Sequence, residues 1–122
     1  MRALHQSGFP DVISNLLVRD DIAYGGFSAG AIVATPTLRG IELMDDPSQL
    51  AEGYESEVCW AGMGLVDFSI VPHYRSDHQE AEVAEAAVSY MKQNALKFRA
   101  MTDGEVYVLK GGVGEFLPKA EG

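Results

Sequence analysis

The chain has 122 residues, nine basic and eighteen acidic, for a net charge of −9. With 47% hydrophobic residues it has the composition of one globular domain, spanning 1–122, and not of a disordered tail. The negative charge argues against nucleic acid as a partner, and a single cysteine, Cys59, excludes an internal disulfide and a cysteine-built zinc site.

Residues Met1 to Gly8 lack the apolar core of a signal peptide, and no uncharged apolar run is long enough to span a bilayer. The expectation is a cytoplasmic protein with no membrane partner. Asp11 is placed to cap a first helix with Val12, Ile13, Leu16 and Leu17 on one face. A short apolar strand at Ile22 to Gly25 follows, and then Gly26-Phe27-Ser28-Ala29-Gly30, a serine between two glycines where strand gives way to helix. This is the G-x-S-x-G pattern of a nucleophile elbow, in which a tight turn holds the serine clear of the backbone. The amide of Ala29 then faces the oxygen of a bound carbonyl. A glycine-rich turn that merely contains a serine has the same pattern.

The segment Ala29 to Ala34 suits a short buried helix ended by Pro36, and Thr37 to Glu57 reads as a long acidic loop. Met63 to Val71 predicts a turn and a strand that ends at Pro72-His73-Tyr74. Between Gln79 and Asn94, Val83, Ala84, Ala87, Val88 and Met91 recur at helical spacing, with Asp77 and Glu80 arranged as a capping box. Phe98 to Met101 predicts a strand and Thr102-Asp103-Gly104 a turn. Glu105 to Leu109 and Val113 to Leu117 then form strands about Gly111-Gly112.

This order predicts an α/β fold: a three-layer α/β/α sandwich on a mostly parallel sheet, with a C-terminal β-hairpin. Sites in such sheets gather at the carboxyl ends of strands, where Ser28, His73 and Asp103 all fall. Nucleophile, base and acid then come in the order Ser, His, Asp, unlike the Ser, Asp, His order of α/β-hydrolases.

Three motifs carry a family resemblance. They are Tyr24 to Ala31 with Thr35-Pro36-Thr37-Leu38-Arg39 behind it, Gly64 to Tyr74 ending in Pro-His-Tyr, and Thr102-Asp103-Gly104. Together they resemble the serine peptidases of the dipeptidase E type, which share the class I glutamine amidotransferase-like fold. The resemblance implies hydrolysis of short peptides, among them those with an N-terminal aspartate, through an acyl-enzyme on a Ser28, His73, Asp103 triad, with no metal and no organic cofactor. It also implies that the family's N-terminal strands and its glycine-rich loop, which supplies a second oxyanion donor, are absent from this chain. The expected partners are therefore a short peptide substrate and either a second copy of the chain or a complementing N-terminal segment. A catalytically silent fragment, or an amidotransferase-like domain that binds without hydrolysis, is the competing reading.

Several positions keep two readings. Asp103-Gly104 is also a favoured tight-turn pair, with Glu105 the fallback carboxylate. Arg39 is a candidate for gripping a substrate carboxylate, or equally for an internal pair with Glu42. Either Asp45 or Asp46 matches a loop aspartate of the family, and solvated carboxylates fit both. Asp77 and His78 fit capping and solvation better than a metal site.

Overall fold

The computed structural model describes residues 1–121. Helix α1, Arg2–Ser7, stops at Gly8, whose φ of 74° lets its N–H reach back to the His5 carbonyl. Helix α2, Phe9–Val18, starts from Gly8 with Pro10 in its first turn and buries Ile13. The helix begins two residues before Asp11, so that residue lies in the first turn and favours the helix dipole instead of capping it.

Residues 22–27 run on without secondary structure. The strand expected at Ile22 to Gly25 is not formed, because no strand lies beside it among the described residues and a strand exists only through its ladder. Helix α3, Ala29–Ile32, follows the serine, and a 3-10 turn, Ile41–Leu43, interrupts the acidic loop. Strand β1 is Ser69–Val71, helix α4 Ala81–Gln93, and strand β2 Phe98–Ala100. Strands β3, Val106–Lys110, and β4, Val113–Leu117, close the chain.

The strands β1 and β2 pair in parallel, Val71 opposite Ala100, with α4 as the crossover between them. The strands β3 and β4 form a separate antiparallel hairpin, Lys110 opposite Val113. The expected single sheet is thus present as two two-stranded pieces, because the elbow segment is unpaired and the hairpin makes no ladder to β2. The result is a small mixed α/β fold with a parallel pair and a C-terminal hairpin.

The apolar stripe of α4 provides the core. Ala84, Ala87, Val88 and Met91 pack with Val71 of β1 and Ile41 of the 3-10 turn. Ala84, Ala87, Met91 and Val71 are wholly inaccessible, so the parallel pair and its crossover are the best-packed part of the chain. The Asp77 and Glu80 capping box is not seen: α4 has Glu80 at its N-cap with no side-chain cap, and the Glu80 N–H instead donates to Nδ1 of His78 at 3.1 Å.

Two local features fix the elbow against this core. The chain at 62–65 lies along the exit of α3, with Met63 N–H on the Val33 carbonyl and Leu65 N–H on the Ala34 carbonyl, both 2.8 Å. Gly62 passes so close to Thr35 that a Cβ there would overlap its carbonyl oxygen. Thr35 itself is fully buried and spends its hydroxyl on the Ile32 carbonyl at 2.6 Å.

Candidate active site

Ser28 stands at the N-cap of α3 with φ 49° and ψ −122°, outside the regions open to ordinary L-residues. Gly26 makes this turn possible, since a Cβ there would overlap the carbonyl of Gly30 across the bend. Tyr24 braces the same bend, its hydroxyl donating to the Gly30 carbonyl at 2.6 Å. Partial burial pushes the Tyr24 phenol above its ordinary range. Ala29 opens α3, so its N–H is among the donors that a helix start leaves without an intrahelical partner.

The parallel register brings the other two residues together. Val71 faces Ala100, and the ladder runs past both strand ends, Met101 N–H to the Val71 carbonyl at 2.9 Å and Tyr74 N–H to the Met101 carbonyl at 3.0 Å. His73 therefore leaves β1 level with the turn that carries Asp103. It does so with φ 61°, a left-handed conformation that is costly for a non-glycine residue.

The His73 imidazole, its side chain only 12% exposed, bridges Asp103 and Ser28. Its Nδ1 lies 2.8 Å from Oδ1 of Asp103 and its Nε2 3.1 Å from Oγ of Ser28. A carboxylate only accepts, so Nδ1–H donates to Asp103 and Nε2 is left to accept the Ser28 hydroxyl. That is the tautomer a general base needs.

Several polar groups hold the acid in place. The Asp103 N–H donates to Oγ of Ser76 at 2.8 Å, and the Ser76 N–H donates to the His73 carbonyl at 3.2 Å. One serine thus ties the loop of the base to the loop of the acid. The fallback carboxylate, Glu105, is occupied elsewhere, its Oε2 accepting the Thr102 N–H at 2.7 Å. The Ser76 contact is not signalled by a sequence motif, since it depends on which loops the sheet register sets side by side, whereas the Glu105 cap is local to one turn.

Of the remaining candidates, Arg39 lays its guanidinium over the Trp60 ring, 3.8 Å from the centroid, and stays outside the Asp103, His73, Ser28 chain of hydrogen bonds. Glu42 turns its carboxylate to the Gly40 N–H at 2.5 Å, and Asp46 accepts both the N–H and the hydroxyl of Ser48. Those bonds hold the Asp46 carboxyl below its ordinary range. Asp45 and Asp46 line a cavity with Leu38, Ile41 and Trp60 and take no part in the triad's hydrogen bonds.

Donor atoms of His73, His78 and Glu80 lie within 4.8 Å of one another. The two imidazoles, however, are stacked face to face with centroids 3.7 Å apart and planes 6° from parallel. Their in-plane lone pairs cannot converge on one ion in that arrangement.

The profile of peptidase family S51 matches residues 1–115. An uncharacterized peptidase of Listeria innocua is 28% identical over 98 residues, covering 77% of this chain and 44% of its own length. A solved structure of a peptidase E candidate from Listeria monocytogenes superposes with a TM-score of 0.77 at 22% identity, over 98% of this chain and 54% of that one. The fold is therefore peptidase E-like, and the chain spans about half the length of these relatives. No helix among the described residues is long and apolar enough to cross a membrane. With the family profile covering nearly the whole chain, the protein belongs to peptidase family S51.

Proposed function

We propose that this chain carries the catalytic residues of a serine peptidase that hydrolyses short peptides, including those with an N-terminal aspartate. The observation that supports this best is the unbroken chain of hydrogen bonds from Asp103 through His73 to Ser28. Ser28 Oγ attacks the scissile carbonyl as His73 Nε2 takes its proton, and the tetrahedral oxyanion is met by the Ala29 N–H. Collapse expels the amine, which receives the proton from His73 and leaves the acyl group as an ester on Ser28. Water, deprotonated by the same imidazole, then releases the acid and restores the serine. Asp103 keeps Nδ1 protonated and stabilises the imidazolium formed in each half-reaction. The steps need no metal or organic cofactor.

A second reading is favoured by the surroundings of the triad. The elbow segment is unpaired, Phe27 next to the nucleophile is 89% exposed, and a helix start supplies one amide to the oxyanion where such holes generally use two donors. In this reading the chain is a silent half until further strands, from a second copy or a complementing N-terminal segment, complete the three-layer sandwich and the hole.

Hydrolysis of a small panel of dipeptides, aspartyl and non-aspartyl at the first position, tests the proposal. Amino-acid release by the parent chain, faster for the aspartyl members and lost in Ser28→Ala, is the expected result. Release that persists in Ser28→Ala contradicts serine chemistry, and no release from any member supports the silent half.

A further inference from the structure

The two hydrogen bonds of His73 fix its ring at two atoms, Nδ1 and Nε2. They hold one edge of the ring and leave small rotations about its χ1 and χ2 as the soft motions, which carry ring atoms out of the plane and draw Nε2 and Nδ1 off their partners. Among the described residues, the aromatic ring stacked on this one is the imidazole of His78, 3.7 Å from it and 6° from parallel. A parallel ring at van der Waals distance opposes a tilt toward it, because any such rotation drives ring atoms into its face.

His78 is itself held. Its carbonyl accepts the Ala81 N–H at 3.1 Å at the start of α4, and its Nδ1 accepts the Glu80 N–H at 3.1 Å. Because a backbone N–H occupies Nδ1, the neutral ring carries its hydrogen on Nε2. The wall behind His73 is therefore a ring held in a fixed orientation. Glu80 adds a carboxylate 3.9 Å from His73 Nε2, on a side chain 40% exposed.

From this arrangement we infer that His78 is a positioning residue: its stacked ring holds the His73 imidazole in the plane that keeps Nε2 on Ser28 and Nδ1 on Asp103. The role rests on the serine-peptidase reading for its effect on rate, but the orientation of His73 is a property of the resting chain and can be read without turnover. It belongs to the face of the ring and not to its nitrogens, which separates it from proton transfer and from metal binding.

Two variants divide these possibilities. In His78→Phe the flat ring remains and the acceptor for the Glu80 N–H is lost, and in His78→Gln an acceptor remains and the ring is lost. Two readouts apply to the full chain: the saturation kinetics of Ser28 labelling by a fluorophosphonate, and the low-field proton resonance of the His73 Nδ1–H. The expected result is that His78→Phe keeps the maximal labelling rate within about threefold and keeps the resonance. His78→Gln lowers that rate by roughly 10-fold to 10²-fold, the scale of a misplaced catalytic group, with little change in half-saturating concentration, and broadens the resonance.

The reverse order, with His78→Gln active and His78→Phe impaired, overturns the inference in favour of the nitrogen. Equal, unchanged behaviour of both variants overturns it outright. If the parent chain is not labelled at all, the catalytic reading fails, and the resonance in the two variants still decides whether His78 orients His73.

Discussion

Ser28 and His73 both sit where a side chain costs the backbone something. Ser28 and His73 have φ values of 49° and 61°, and each such conformation in a non-glycine residue costs on the order of 1–3 kcal/mol. What they gain is alignment, with Oγ and Nε2 3.1 Å apart. Tyr24 stabilises the elbow through one hydrogen bond to the Gly30 carbonyl, so Tyr24→Phe is expected to cost about 1 kcal/mol at neutral pH. Burial raises this phenol above its ordinary value in the folded chain, so its contribution is complete below the ordinary phenol range and is lost as pH rises through the raised value. Thermal melts of parent and variant should therefore differ at pH 7 and converge at strongly alkaline pH. A gap that stays constant with pH would mean the hydroxyl is not the source of the difference.

Among the elements, those carried by a local pattern of side chains were legible, β1 and β2 among them although α4 separates them in sequence, and the expected strand with no neighbouring strand was not formed. The stripe Ala84, Ala87, Val88, Met91 repeats every three or four residues, and α4 forms with those four buried. The hairpin β3 to β4 follows from two β-rich runs about Gly111-Gly112. Ile22 to Gly25 has equal strand character, but strand character is expressed only beside another strand, and none of the described residues supplies one. Helix α1 gave little signal because it buries no residue; it is held by polar bonds such as Arg2 to loop carbonyls and His5 Nε2 to the Ala61 carbonyl. That Ser28, His73 and Asp103 lie together was readable from three motifs in order, whereas the bond from the Asp103 N–H to Ser76 became visible only once the register set the two loops side by side, and the stacking of His78 on His73 only once their loop was folded. At this scale the elbow makes the sharpest prediction. Gly26→Ala places a methyl against the backbone of Gly30, which has no flexible end to move aside, and is expected to cost roughly 1–3 kcal/mol. Melting and Ser28 labelling should fall together, and a variant that keeps both would show that the turn is not closed at Gly26.

For the molecule as a whole, the buried core lies around α4, the parallel pair and Ile41, while the later part of the acidic loop, residues 47–57, is tied down by polar bonds. The Arg2 guanidinium donates to the carbonyls of Pro47, Gln49, Ser56 and Glu57 at 3.0–3.3 Å, four acceptors gathered by one side chain. Arg2→Ala should release that loop. Limited proteolysis is then expected to cut within 47–57 several-fold faster than in the parent, while the rate of Ser28 labelling stays the same, because the triad's hydrogen bonds do not pass through the loop. Faster cutting accompanied by loss of labelling would instead couple the loop to the site.

Whether Ser28 is an activated nucleophile is decided by covalent labelling with a fluorophosphonate, the modified residue being located by mass spectrometry. A single adduct on Ser28 is expected, absent in Ser28→Ala and slowed at least about 10²-fold in His73→Ala, which lacks the imidazole proposed to take the hydroxyl proton. Failure of the parent chain to form any adduct, or an adduct on Ser28 that forms equally fast without His73, would contradict it.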